Sequence, residues 1–338
     1  MTQKDITEIK ELLSESKNIV ITHHKNADGD AIGSSMALNT YLNLCGHKSV
    51  VISPNKFPDF LKWLDTKNEI IIFKNSTNEI NLINNADLIF TLDFNNLERC
   101  GELKDLISNS KAKKILIDHH ENPVKYADYM YSDTKISSTC EMIYHFIEKM
   151  GDNNKINTSI AEAIYTGIMT DTGSFKFSST SSTTHKVISD LLDKGANKTK
   201  IHNEIYDNNR IEKIKLLSFA LGKIEIISEY STAIISLSQN DLNKFNFKKG
   251  DTEGIVNYGL SIENIKFAAI FIENKKEDII KISFRSKGSF DVNVFSRDNF
   301  NGGGHKNASG AVSKVSMSST IINFKNALKN YKTQLNSN

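Results

Sequence analysis

The stretch HHKNADGDAIGS, His23–Ser34, decides how the chain is read. It follows directly on NIVIT, Asn18–Thr22, a β-branched run of the kind that forms a short strand. From about Ala31 to Leu44 the apolar residues Ile32, Met36, Leu38, Tyr41 and Leu42 recur at helical spacing, and Gly46 supplies a stop signal. Strand, polar turn and helix in that order open an alternating α/β arrangement. The polar turn presents His24, Asp28 and Asp30.

The alternation continues along the first half. Continuous apolar runs at Ser49–Ser53, Glu69–Phe73, Asp87–Phe94 and Lys114–Asp118 predict strands of a buried, largely parallel sheet. Helices are expected over about Thr139–Met150, closed by Gly151, and over about Ser159–Met169. Ser138 with Glu141 has the spacing of a capping box. The polar stretch from about Lys194 to Arg210 follows a helix closed by Gly195 and predicts a hinge. The expected division is 1–195 and 215–338, with a linker at 196–214. Beyond it the pattern changes. A helix near Ile211–Leu221 leads to paired strands at Lys223–Ile227 and Thr232–Leu237, then strands at Lys266–Ile272 and Ile279–Arg285. A glycine-rich segment spans Asn301–Gly310, and a final helix covers about Ser319–Tyr331. The fold class is therefore α/β: an N-terminal domain built on a mostly parallel sheet, plus a smaller C-terminal α+β domain.

Composition narrows the partners. Hydrophobic residues make up 39% of the 338 and charged residues 24%, which suits a globular protein able to bury a core, and no stretch approaches the ~20 apolar residues of a membrane span. The formal net charge is only +2, whereas a protein gripping a long duplex through many phosphates carries a stronger basic bias. A short or small anionic ligand is expected, with no long duplex and no membrane partner. Cys45, Cys100 and Cys140 form no CxxC pair and are read as reduced thiols. The N-terminus is charged and amphipathic without an apolar core, so a cytoplasmic location is expected.

Four segments place acidic or histidine residues where a predicted element ends. They are His24, Asp28 and Asp30; Asp93 in TLDFNNLERCG; Asp118, His119 and His120 in ILIDHHENP; and Asp171 in GIMTDTGSF. In an open α/β sheet the ligand crevice lies outside the carboxyl ends of the strands, so the first three segments should meet there, and the fourth can reach them from its helix. Each segment alone has a structural explanation, such as Asp30 capping the following helix. Together they suit a metal centre. Mixed carboxylate and imidazole without thiolate favours Mn²⁺, Mg²⁺, Fe²⁺ or Co²⁺ over structural zinc. Five or six ligands are enough for two ions about 3.5–4 Å apart that share a carboxylate.

The order HxxxDxD, Asp, DHH, Asp resembles the DHH phosphoesterases. The second half is similar to the DHHA1 domain, through Gly302-Gly303-Gly304-His305 and Ala308-Ser309-Gly310, preceded by FRSKG at Phe284–Gly288. The resemblance covers nearly the whole chain, and its short two-domain subgroup contains nanoRNases that are also phosphatases of 3′-phosphoadenosine 5′-phosphate. It implies two divalent cations, most often Mn²⁺, with Mg²⁺ or Co²⁺ possible. His24, Asp28 and Asp93 would hold the first, and Asp30, bridging Asp93, His119 and Asp171 the second. Asp118 would orient a ligand or an imidazole, and His120 would face the scissile phosphate. Arg99 has two readings, a phosphate ligand or a surface cation. Ser137–Thr139 likewise touches phosphate or caps a helix.

In the second domain, Arg285, Lys287, Gly302, Gly303, Gly304 and His305 would hold a terminal phosphate or a base. The implied activity is hydrolysis of oligoribonucleotides of two to five residues, and of 3′-phosphoadenosine 5′-phosphate, in a cleft between the domains. A homodimer is expected. The rival readings are a phosphodiesterase for cyclic dinucleotides or pApA, and a non-catalytic nucleotide-binding module. Modest length and charge argue against a RecJ-type long-strand exonuclease, and the GGGH segment argues against a pyrophosphatase.

Overall fold

A computed structural model describes residues 1–336 in two compact units, Met1–Asn208 and a second beginning at Asn209. Residues 337 and 338, included in the expected second domain, lie outside the described residues.

The first unit is built on strands β1 (Asn18–His23), β2 (Lys48–Ser53), β3 (Ile70–Ile72), β4 (Leu88–Leu92), β5 (Lys113–Asp118) and β6 (Tyr129–Ser132). All pair in parallel, in the order β3-β2-β1-β4-β5-β6. Parallel pairing requires crossovers, and buries both faces of the sheet. The helices are α1 (Gln3–Leu12), α2 (Gly29–Leu44), α3 (Thr77–Asn84), α4 (Lys104–Asn109), α5 (Thr139–Met150), α6 (Thr158–Asp171), α7 (Ser182–Asp193) and α8 (Lys198–His202). One core gathers Ile19, Ile21, Phe90 and Ile117 with α2, α5 and α6; another gathers Val20, Ile52, Ile89 and Phe94. Alternate residues of β1 thus enter different layers, as the pleat requires. The strand order reverses between β1 and β4, which makes the carboxyl ends of those two strands the place where a crevice opens.

Helices α2 and α6 cross very closely. A Cβ at Gly29 would lie 2.3 Å from Thr170 Oγ1, one at Gly33 2.6 Å from the Ala163 carbonyl, and one at Gly167 2.1 Å from Cys140 Sγ. Small residues here set how near the start of α2 comes to the end of α6.

The structure adjusts several local expectations. The cap of α2 is Asp28, whose carboxylate accepts from the Asp30 and Ala31 amides, while Asp30 lies inside the first turn. Ser138 caps α5, but the box is not closed. The Glu141 carboxylate turns to Ser137 and to the Thr184 hydroxyl instead, because it is buried and needs several donors. Asp171 is the last residue of α6 rather than the residue after it. Within the 196–214 segment, α8 and a π-helical turn at Asn203–Asp207 bury Ile201 and Ile205.

The second unit carries β7 (Glu225–Ile227), β8 (Thr232–Leu237), β9 (Phe267–Asn274), β10 (Ile279–Ser286), β11 (Gly303–His305) and β12 (Ala308–Ser313), in the order β11-β12-β10-β9-β8-β7. Only the β8–β9 pairing is parallel, so the sheet is mixed. Its helices are α9 (Ile211–Gly222), α10 (Gln239–Lys244), α11 (Ile255–Ser261), α12 (Val292–Phe300), α13 (Met317–Leu328) and α14 (Lys332–Asn336). The core is aromatic: Phe267, Phe284, Phe295 and Phe324 are fully buried, with ring centroids 5.0–6.0 Å apart.

Candidate metal centre

The four chemistry-bearing segments of the first unit converge at the carboxyl edge of its sheet. His24 follows β1, Asp28 and Asp30 flank the start of α2, Asp93 follows β4, Asp118 ends β5 ahead of His119 and His120, and Asp171 ends α6. Three groups of these residues bring their ligand atoms within 4.8 Å of one another: His24 with Asp28 and Asp93; Asp30 with His119 and Asp171; and Asp93 with Asp118 and His120.

The geometry centres on Asp93. His24 Nε2 lies 3.3 Å from Asp93 Oδ2 and 3.7 Å from Asp28 Oδ2. His119 Nε2 lies 3.6 Å from Asp93 Oδ1, 3.7 Å from Asp30 Oδ2 and 3.5 Å from Asp171 Oδ2. Asp93 therefore shows one oxygen to each histidine. Its φ of 64° is a left-handed conformation that costs an L-residue energy, and such strain gathers where a side chain must be aimed. The strain is held in place by the Asp93 amide on the Ile117 carbonyl (3.1 Å) and by the Thr139 hydroxyl on Asp93 Oδ1 (3.0 Å).

Asp30 is positioned by α5. Its oxygens accept from the amides of Thr139 (2.7 Å) and Cys140 (2.8 Å), so a helix N-terminus is spent on an internal carboxylate. Ser137–Thr139 is thus committed to Glu141, to the cap of α5, and to Asp30 and Asp93. The sequence marks Thr139 only as part of a run that touches phosphate or caps a helix, and gives no sign that it and Cys140 hold the site's carboxylates. Asp118 Oδ1 lies 2.7 Å from His120 Nδ1, which is 3.7 Å from Asp93 Oδ1. That pairing fixes which imidazole nitrogen bears the proton.

The electrostatics call for a cation. Burial, together with the charges of Asp93 and Asp171, pushes the Asp30 carboxyl well above the usual range. Burial opposes charge on His24, yet the Asp28 and Asp93 carboxylates prevail and raise it to about 10. Against its own burial, Asp28 is lowered by His24, the Ala31 amide and Arg99. Burial and Asp93 raise Asp118 to about 6. The cluster thus keeps protons where positive charge is lacking, and ligand protons are what a bound metal displaces. Oxygen and imidazole donors at these positions fit hard or borderline divalent ions. Arg99 is half-buried, and its charge is felt by both Asp28 and Asp118, which favours the site over the plain surface. The neighbouring His23 is fully buried and held neutral, its pKa lowered to about 4 by burial, and it belongs to none of the three groups.

In the second unit, Arg285 of β10 and His305 of β11 both pair with Ala308 of β12. Directly paired residues share a face of the sheet, so the two side chains flank a small alanine in one row. Lys287 follows β10 and is exposed. The glycines divide in role. A Cβ at Gly302 would lie 2.0 Å from Ser296 Oγ and one at Gly304 2.5 Å from the Ala308 carbonyl, so these two are required by the chain's own packing. Gly303 has open space and leaves its backbone accessible. The sequence alone groups all three as a ligand approach, and packing separates them because two of the three glycines face their own chain.

Residues 18–168 match the DHH family, N-terminal domain, and residues 230–336 match the DHHA1 domain. The chain is 31% identical over 306 residues to the bifunctional oligoribonuclease and PAP phosphatase NrnA of Bacillus subtilis, covering 90% of this chain and 92% of that protein. It is 26% identical to the cyclic-di-AMP phosphodiesterase GdpP of the same organism, over 96% of this chain and 49% of that protein. A crystal structure of an exopolyphosphatase-related protein from Bacteroides fragilis superposes with a TM-score of 0.94 at 38% identity, covering 99% of this chain and 98% of that one. No helix among the described residues is long and apolar enough to cross a membrane.

Proposed function

The chain belongs to the DHH family, with a DHHA1 domain in its second half, and on that premise we propose a two-metal phosphoesterase acting on very short nucleotides. Its substrates are oligoribonucleotides of two to five residues, cut to mononucleotides, and 3′-phosphoadenosine 5′-phosphate, cut to AMP. The observation that carries this reading is the pair of ligand groups that meet at Asp93, one carboxylate oxygen apiece. The name of the Bacillus subtilis relative supports the substrate class.

His24, Asp28 and Asp93 would hold one ion, and Asp30, Asp93, His119 and Asp171 the other. Two divalent cations held there, Mn²⁺ foremost with Mg²⁺ or Co²⁺ as alternatives, would supply Lewis acidity for a water and positive charge for the phosphate. The protein's own groups do the rest. Asp118 keeps the proton of His120 on Nδ1, so Nε2 is the ring nitrogen presented to substrate. Arg99 adds positive charge beside Asp28 and Asp118. Arg285 and His305, with Lys287 and the open backbone at Gly303, bind the nucleotide's terminal phosphate or base.

A second reading is a phosphodiesterase for cyclic dinucleotides or pApA, favoured by the likeness to GdpP over 96% of this chain. The test is a panel with Mn²⁺: 3′-phosphoadenosine 5′-phosphate, pApA, oligoribonucleotides of graded length, cyclic di-AMP and pyrophosphate. Short linear substrates should turn over fastest, and Asp93→Ala should turn over none of them. Preference for cyclic di-AMP selects the second reading, and activity in Asp93→Ala removes the metal assignment.

A further inference from the structure

At the C-terminal ends of α2 and α5 lies a second polar cluster, remote along both helices from the carboxylates at their N-terminal ends. A cavity of about 230 Å³ is lined there by Lys10, Tyr41, Cys45, His47, Asp152 and Lys155, among others. Lys155 Nζ donates to Cys45 Sγ at 3.4 Å and sits 3.0 Å from Asp152 Oδ1. Asp152 Oδ2 accepts from the Tyr41 hydroxyl at 2.7 Å. His47 is 7% exposed, and its Nδ1 has no hydrogen-bond partner. Burial and the charges of Lys155 and Lys17 lower the His47 pKa, so its ring is neutral and can meet a polar guest. None of these groups takes part in the proposed phosphoester chemistry.

The three cysteines are not equivalent. Cys100 and Cys140 are fully buried, their thiols directed to the Leu97 and Asp30 carbonyls. Cys45 is partly exposed and opens on the cavity. A small oxidant can reach Cys45, and neither sealed thiol is available to resolve the product as a disulfide. The Lys155 ammonium donates to the sulfur at 3.4 Å, so once deprotonated its nitrogen already lies within the distance of a near-attack arrangement, about 3–3.5 Å.

We propose that Cys45 and Lys155 form an oxidative modification site, in which a hydroperoxide drives closure of a covalent sulfur–nitrogen bond between them. In the first step the Cys45 sulfur attacks the peroxide. The O–O bond breaks, sulfur is oxidised to sulfenic acid, and the peroxide is reduced, leaving as water when it is hydrogen peroxide. In the second step the Lys155 ammonium gives up a proton directly to solvent hydroxide, since the Asp152 carboxylate beside it favours the charged form. The freed nitrogen lone pair attacks sulfur, the S–O bond breaks, and the hydroxyl leaves with an N–H proton as water. Condensation of a sulfenic acid with a backbone nitrogen is an established fate of oxidised cysteine, and here the Lys155 side-chain nitrogen would take that place. The bond would tie the cap of α2 to the turn Asn153–Lys155 that follows α5. These two helices grip Asp30 at their other ends, so the link braces the scaffold of the metal centre.

The test treats the intact protein with hydrogen peroxide and digests it without reductant for peptide mass spectrometry. Expected is a joined pair of peptides carrying Cys45 and Lys155, lighter than their sum by two hydrogens and released by a thiol reductant. The pair should be absent from Cys45→Ser and from Lys155→Arg. Recovery of Cys45 solely as sulfinic or sulfonic acid, or as an intermolecular disulfide, with Lys155 unmodified, overturns the proposal. A joined product that persists in Lys155→Arg overturns it equally.

Discussion

Replacing Gly167 by alanine tests whether the close crossing of α2, α5 and α6 holds the metal ligands in place. The new Cβ would lie 2.1 Å from Cys140 Sγ and 2.8 Å from Asp30 Oδ1, where ordinary contact begins at 3.4 Å. The thiol must therefore retreat by about 1.3 Å and the carboxylate oxygen by about 0.6 Å. Neither has free room. Cys140 is fully buried, and Asp30 is tied to two amides of α5. Overpacking of this kind costs about 1–3 kcal/mol. Moving a catalytic group by ~1 Å costs on the order of 10²-fold in rate, so kcat/KM should fall by roughly 10- to 100-fold. Denaturant titration reads the first quantity, and hydrolysis of pApA across a Mn²⁺ series reads the second. Adding Cys140→Ala removes the nearest atom and should restore part of the stability, because the two changes share one clash. Gly167→Ala with unchanged stability and unchanged kcat/KM would refute the reasoning.

Asp118→Asn should lower kcat by about 10- to 100-fold while Mn²⁺ affinity by calorimetry stays near its starting value, since Asp118 acts through His120. An equal loss in affinity would make Asp118 a ligand. The metal-free protein should lose thermal stability as pH rises from 6.5 towards about 10, because the fold raises His24 from 6.5 and favours its protonated form. That contribution is complete below 6.5 and gone above the folded value; the raised carboxyl of Asp30 acts in the same direction. Saturating Mn²⁺ should flatten this slope in thermal scans by taking the proton's place. Arg285→Ala should raise the KM for 5′-phosphorylated dinucleotides far more than for an aryl phosphodiester. Equal effects would count against a nucleotide-end site.

The ends of β1, β4 and β5 were readable because a buried parallel strand is a continuous apolar run, and the polar residue that stops the run is the residue at the crevice. His24, Asp93 and Asp118 stand out in this way without coordinates. The strand Tyr129–Ser132 was not readable: one buried residue, Tyr131, among three half-buried ones at a sheet edge makes no distinctive pattern. Nor were Gly303–His305 and Ala308–Ser313, where glycine and small residues lack strand propensity and tertiary pairing supplies the order. The side chain of Glu141 left its expected cap because burial demanded more donors than the cap offers.

By itself, then, the sequence determined the alternating α/β layout, the α+β character of the second unit and the kinds of donor atom at each element end, since these depend on local periodicity and residue chemistry. Tertiary structure alone decided that Asp93 turns one oxygen to each histidine, that α5 spends its N-terminal amides on Asp30, and that Arg285 and His305 flank Ala308. Those facts rest on strand order, helix crossing distance and register. Each is set by packing between residues far apart in the chain, which no local pattern encodes.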